Sequence, residues 1–410
     1  MRRVVVTGMG AITPIGNSVS EMWESVKQSK CGIGRITHYD VTDRKVTLAG
    51  EVKNFDPESV LDKSEIRRMD NFTIFAVAAA NEAVVDSGLD FSKEDCDRCG
   101  VMVSSGIGGL GTIQAECTKG LEKGFDRISP HFVPMSISNM AAGHIAIRYG
   151  LHGMCSCVVT ACASATNAIG DAFRQIRDGY QDVMVTGGSE ASITPFGMGG
   201  FTSLHALSTA TDPARASIPF DQERHGFVMG EGAGILVLEE YEHAVKRGAK
   251  IYCEMVGYSA TCDAHHVTAP LEDGSMAAKC MQQAVKDAGI APEDITYINA
   301  HGTSTVLNDK GETCAIKTAF GEHAGKLMVS STKSMTGHLL GASGAVEAII
   351  TALSVRDDLV PATVNYRVPD ENCDLDIVPN VARKTPVAYA MSNSLGFGGH
   401  NASIVFKKCK

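Results

Sequence analysis

The sequence predicts an α/β protein built from two similar halves. Three observations carry this: short β-branched runs, helical patterns between them, and a repeat of order along the chain. Runs at residues 4–6, 101–103, 158–159 and 183–185 are continuously apolar, as strands covered on both faces are. Helical patterns fall between them at 72–87 and 163–178. In the second, Ile169, Ala172, Phe173 and Ile176 follow i, i+3, i+4, i+7 spacing and make one apolar face. Alternating strands and helices imply mostly parallel pairing with right-handed crossovers.

The repeat sets AVVDSGL at 83–89 against AVKDAGI at 284–290, an offset of 284 − 83 = 201 residues. A KED or PED turn follows each, then a strand (100–104 and 295–299), then a glycine-containing loop. GILVL at 234–238 and ASIVF at 402–406 close the two halves. Two domains, 1–251 and 252–410, are therefore expected, with no flexible linker between them.

Composition narrows the function. The 410 residues carry 37 Lys+Arg and 47 Asp+Glu, a net charge of −10, which argues against non-specific nucleic-acid binding. No apolar run approaches a membrane span, and the basic start MRRVVVTGMGAITPIG is broken by Gly8, Gly10 and Pro14, so it reads as a strand and turn. The 13 scattered cysteines read as reduced thiols of a cytoplasmic protein. Cys96 and Cys99, Cys155 and Cys157, and the Asp263-Ala264-His265-His266 run lack a partner set at ligand spacing, so no metal site is assigned to them. The glycine-rich loop 106–111 lacks the acidic residue a dinucleotide fingerprint needs.

Four constellations can carry chemistry. Cys162 sits where an apolar run gives way to a helix, among small residues; unpaired N–H groups there should favour thiolate. His301 follows a strand, beside Gly302, Thr303 and Thr305. Lys333 and His338 precede a glycine- and alanine-rich helix holding Glu347, an acid that needs a partner when buried; Lys333 or a monovalent cation near Asn299 would serve. Phe397 lies among Gly396, Gly398 and Gly399, as a gating side chain would. One cysteine and two histidines fit either a Cys–His thioester hydrolase or a condensing enzyme. The condensing enzyme has a use for both histidines.

The segments TACASATNAIGDAF, NAHGTSTVLNDKGE, STKSMTGHLLGASGAVEA and NSLGFGGHNAS resemble those of the β-ketoacyl-[acyl-carrier-protein] synthases, in order and across essentially the whole chain. The Ser105-Gly106-Ile107-Gly108-Gly109 loop resembles that of the synthase II subgroup. The resemblance implies a thiolase-like fold and a homodimer without cofactor. Its expected reaction is decarboxylative condensation of malonyl-acyl carrier protein with an acyl group held on Cys162, elongating fatty acyl chains; a polyketide ketosynthase is the alternative. A non-catalytic chain-length subunit generally lacks the nucleophile, which this chain has.

By the same resemblance, His301 and His338 would bind the enolate oxygen. The backbone N–H groups of Cys162 and Phe397 would bind the second oxyanion. Lys333 and Glu347 match supporting residues. Thr303 and Thr305 would contact the pantetheine arm, and Ile107, Phe201 and Phe397 the substrate. Ala165, where many members have glycine, adds a methyl that could trim the pocket. The carrier is acidic, so a local basic patch must receive it; Lys63, Arg67 and Arg68, at i, i+4, i+5, are expected to share one helix face.

Overall fold

In the computed structural model, which describes residues 1–409, ten strands form one sheet. They are β1 (Val4–Ile12), β2 (Cys99–Ser104), β3 (Cys155–Ser156), β4 (Val183–Glu190), β5 (Gly232–Glu240), β6 (Cys253–Cys262), β7 (Ile295–Asn299), β8 (Met328–Ser330), β9 (Tyr389–Gly396) and β10 (His400–Lys407). Their spatial order is β3-β2-β4-β5-β1 followed by β6-β10-β9-β7-β8. Adding five to each label of the first half gives the second half in mirror order. In each half the three outer strands are parallel and the remaining pairings antiparallel. β1 and β6 join the halves antiparallel, through Val4 opposite Met255, Val5 opposite Glu254 and Val6 opposite Cys253.

Five helices matter for the site: α1 (Asn71–Ser87), α2 (Ser164–Arg177), α3 (Ser275–Asp287), α4 (Val306–Phe320) and α5 (Ser343–Asp357). α2 and α5 lie in a shared middle cluster, where Ile169, Phe173, Ile349 and Leu353 meet Met102 and Met184 from one half-sheet and Ala390 and Ile404 from the other. The opposite faces carry α1, against Val101, Val103, Val183 and Val185, and the α3–α4 pair, against Ile295, Ile298 and Val405. This layering explains the continuous apolar runs, since alternate residues of each strand enter different clusters. The repeated heptapeptides are the ends of α1 and α3. Each runs into a left-handed glycine, Gly88 and Gly289, both at φ +66°.

One expected strand is absent. β3 is two residues long, and Val158 and Val159 lie outside it, Val159 largely exposed. Here the chain peels off the sheet edge towards Cys162, and the Val158 N–H donates to Ser104 Oγ (3.2 Å) instead of a neighbouring strand.

The tightest layer contact is between β1 and α1. A Cβ on Gly10 would lie 1.9 Å from the Ala79 carbonyl oxygen. Gly10→Ala should therefore cost about 2–3 kcal/mol and lower the thermal midpoint by roughly 3 °C in calorimetry; an unchanged midpoint would contradict this packing.

Candidate active site

The site forms where the outer parallel strands end. After β3, Ala161 adopts φ +51°, a single 3₁₀ turn spans Ala161–Ala163, and α2 begins at Ser164. The second half repeats the device: Leu340 at φ +48°, a turn over Leu340–Ala342, and α5 from Ser343. Each left-handed residue swings the chain from a sheet end into a buried helix start. In the first half this presents Cys162; the equivalent place in the second is Gly341. His301 follows β7, Lys333 and His338 follow β8, and Phe397 sits in the turn between β9 and β10.

Cys162, His301, His338, Phe201, Phe397, Thr303 and Thr305 line one cleft of about 370 Å³. The two imidazoles stand edge to face with centroids 5.2 Å apart. Phe227 packs on His338 at 5.2 Å, Phe201 on Phe227 at 5.5 Å, and Phe397 on Phe201 at 6.2 Å, an aromatic line from the turn to the histidine. Gly396 permits the approach of that turn: a Cβ there would sit 2.7 Å from the Thr160 carbonyl oxygen and 3.2 Å from the Cys162 nitrogen.

Electrostatics here differ from the sequence expectation. Cys162 is not poised as a thiolate in the free protein: burial pushes its thiol up to about 12. Lys333 pulls it down, Glu190 pushes it up, and the nearby Phe397 and Cys162 N–H groups pull it down. Desolvation outweighs the helix start because Cys162 is buried at the cleft wall.

Both imidazoles are held well below the ordinary histidine range, first by burial and then by the charge of Lys333; His301 also feels His338. They are neutral at pH 7. Ser343 Oγ lies 2.8 Å from His338 Nδ1, and with the hydroxyl donating, the ring proton sits on Nε2. The backbone N–H groups of His301 and Gly302 each donate to Glu312 at 2.8 Å.

Lys333 donates to Glu347 Oε1, both side chains being buried. Burial pushes the Glu347 carboxyl up against that pull. Asn299 Oδ1 and Glu347 Oε2 are buried without a hydrogen-bond partner, so these oxygens fit the donor set expected of a monovalent cation.

Other expected residues lie elsewhere. Ile107 is outside the cleft lining and packs against the apolar cluster that holds Cys162, Ile193, Met198 and Leu340. Ala165 is fully buried facing Gly188, whose missing side chain makes room for it, so its methyl does not trim the cleft. Lys63, Arg67 and Arg68 are exposed, but they do not share a helix face: the helix covers only Lys63–Ile66, because Asp70 already caps α1 and the chain must turn before it. Lys63 lies 3.4 Å from Glu58.

Two models of β-ketoacyl synthase domains match the chain, the N-terminal one over residues 1–244 and the C-terminal one over 252–367. The chain belongs to the β-ketoacyl synthase family. Among its relatives, the 3-oxoacyl-[acyl-carrier-protein] synthase 2 of a Synechocystis species is 53% identical over 99% of this chain and 98% of its own. The enzyme of that name from Staphylococcus aureus is also 53% identical, with the same coverage. Among solved structures, a type II polyketide ketosynthase in complex with its acyl-carrier protein has a TM-score of 0.92 at 36% identity, covering 100% of both chains. A β-ketoacyl synthase from Burkholderia phymatum has 0.91 at 34%, again with full coverage of both. The fold is therefore the thiolase-type fold of the ketosynthases.

In this ketosynthase site, sequence reasoning passed over Glu312, Ser343 and Phe227, and weighed Asp263 only as a metal ligand. Asp263 lines the cleft mouth and accepts from Asn401 Nδ2 at 2.7 Å, on the strand that leaves the Phe397 turn. No helix among the described residues is long and apolar enough to cross a membrane.

The thiol state is directly testable. Alkylation of Cys162 by iodoacetamide, followed by mass spectrometry of its peptide, should rise about tenfold per pH unit between about pH 7 and 9 without levelling. A plateau near neutrality would mean that a thiolate is already present.

Proposed function

We propose that the chain is an acyltransferase that condenses malonyl-acyl carrier protein with an acyl group on Cys162, adding two carbons to a fatty acyl chain. The observation that carries this is the cleft that a cysteine shares with two neutral imidazoles, with the Cys162 and Phe397 N–H groups close enough to favour negative charge there. Fatty-acid elongation rather than polyketide assembly is supported by 53% identity to the synthase 2 enzymes against 36% to the polyketide ketosynthase. The mirrored strand order supports the division into halves 1–251 and 252–410. The reading includes a homodimer in the cytoplasm.

The steps follow from the groups present. Cys162 Sγ attacks the carbonyl of an acyl-carrier thioester, its proton leaves with the carrier thiol, and a neutral imidazole in the cleft can relay that proton. Malonyl carrier then enters past Thr303 and Thr305. Its carboxylate leaves as CO2, and the bond pair stays behind as an enolate whose oxygen takes hydrogen bonds from His301 and His338. Neutral rings can serve here because each keeps one N–H to donate to the developing charge. The enolate carbon attacks the acyl-Cys162 carbonyl; that oxygen becomes negative beside the Cys162 and Phe397 N–H groups, and the sulfur leaves as a thiolate that takes a proton from solvent to restore the thiol. Lys333, whose charge acts on both rings and the thiol, adds to the burial that keeps the rings neutral and favours the departing thiolate.

Cys162→Ala should abolish condensation yet still release CO2 from malonyl carrier. His338→Ala should lower that decarboxylation roughly 10²–10³-fold while Cys162 is still acylated. Acyl-protein mass and CO2 release read the two steps separately; free acid without CO2 from the unaltered protein would instead establish a hydrolase.

Lys63, Arg67 and Arg68 remain the proposed carrier-docking cations, grouped by a one-turn helix and the turn after it rather than by a helix face. Charge reversal at Arg67 and Arg68 together should raise KM for carrier-bound substrate about tenfold with little effect on a small thioester; equal effects on both substrates would discard the docking role.

A further inference from the structure

A second buried carboxylate does for the first half what Glu312 does for the second. Glu312 fixes the loop after β7 by accepting two successive backbone N–H groups, of His301 and Gly302. Glu190, the last residue of β4 and fully buried, accepts from the loop after β2, the pseudo-symmetric position. Its Oε2 takes the N–H of Gly106 (2.9 Å) and its Oε1 that of Ile107 (3.3 Å) and the Ser105 hydroxyl (3.0 Å). Ser192 adds a hydroxyl at 3.2 Å.

One further donor reaches the same carboxylate from the other half. Gly341 N–H donates to Oε2 at 3.0 Å. Gly341 lies between His338 and Ser343, the residue that orients the His338 ring. The cradle has no spare room: a Cβ on Gly341 would lie 2.2 Å from the Gly106 nitrogen, and one on Gly106 would lie 2.8 Å from Glu190 Oε2. Three backbone N–H groups on two oxygens require an acceptor at both, which a carboxylate supplies and an amide does not.

We infer that Glu190 is a positioning residue that locks the Ile107 loop to the Gly341 turn, and so sets the depth of the acyl pocket beside Cys162. Ile107 packs on the apolar cluster that contains Cys162, Ile193, Met198 and Leu340. On the reading that Cys162 carries the acyl chain, a chain extending from the sulfur into that cluster would meet Ile107. Glu190 holds the Ser105–Ile107 part of this loop, while Gly108 and Gly109 donate to Ser105 Oγ and the Ser136 carbonyl, so the carboxylate is the tie between Ile107 and the Gly341 turn. The inference rests on the reading that Cys162 carries the acyl chain.

Glu190→Gln tests it. The amide nitrogen meets either the Gly106 and Gly341 N–H pair or that of Ile107, and the lock loosens. The kcat/KM for palmitoyl-loaded carrier relative to hexanoyl-loaded carrier should rise about tenfold over the unaltered protein. Loss of the buried charge should also move the pH profile of Cys162 alkylation about one unit lower, because Glu190 opposes thiolate formation there; Lys333, His301 and His338 are the other titratable groups facing that sulfur. Glu190→Asp keeps the charge but not the reach, so it should alter the chain-length ratio and leave the alkylation profile near its original place. Ser105→Ala removes one donor to the carboxylate, and with it the acceptor of the Gly108 N–H, and should shift the ratio in the same direction by a smaller factor, provided the thermal midpoint shows that the variant is folded. An unchanged ratio in Glu190→Gln and in Ser105→Ala overturns the inference. Condensation by the unaltered protein in the same assay shows separately that the underlying reading holds.

Discussion

The buried ammonium of Lys333 is the charge on which the site depends. It is inaccessible to water and paired with Glu347, on the first turn of α5's preceding segment and on α5 itself. Its field reaches three reacting groups: it adds to the burial that keeps His301 and His338 unprotonated, and it pulls against the burial that keeps Cys162 a thiol. A buried ion pair contributes little net stability and is costly to break from one side. Its value in this position is electrostatic. Replacing it by an apolar pair of similar volume would preserve packing and remove the field.

The second organising constraint is symmetry that has been put to unequal use. Both halves turn from a parallel strand into a central helix through a left-handed residue, and both pin a strand-end loop with a buried glutamate. One copy of the turn carries the nucleophile and the other a glycine. One pinned loop carries a histidine and the other an isoleucine. Duplicated backbone geometry thus supplies a cleft between equivalent strand ends, and side-chain differences divide the labour across it.

Much of this was legible in the sequence because it rests on local pattern. β-branched runs marked doubly covered strands, and AVVDSGL against AVKDAGI marked equivalent helix ends. Residues at strand ends marked the cleft: Cys162, His301, His338 and Phe397 do converge. What stayed hidden depends on distant partners. The strand at Val158 and Val159 failed because a serine 54 residues away replaces the ladder. Cys162 looked like a thiolate because a sequence displays a helix start but not the burial around it. Ala165 looked like a pocket residue until Gly188 was found opposite. Glu190 gave no signal because its decisive donor, Gly341, lies 151 residues further on.

The charge state of the two imidazoles tests the account most directly. Side-chain ¹⁵N resonances of His301 and His338, assigned by single His→Gln substitutions and followed from about pH 8 to about pH 6 across the ordinary histidine range, report protonation at each ring nitrogen. Both rings should stay neutral throughout, with the His338 proton on Nε2. An imidazolium signal from either ring at neutral pH would contradict the electrostatic arrangement from which the proposed chemistry follows.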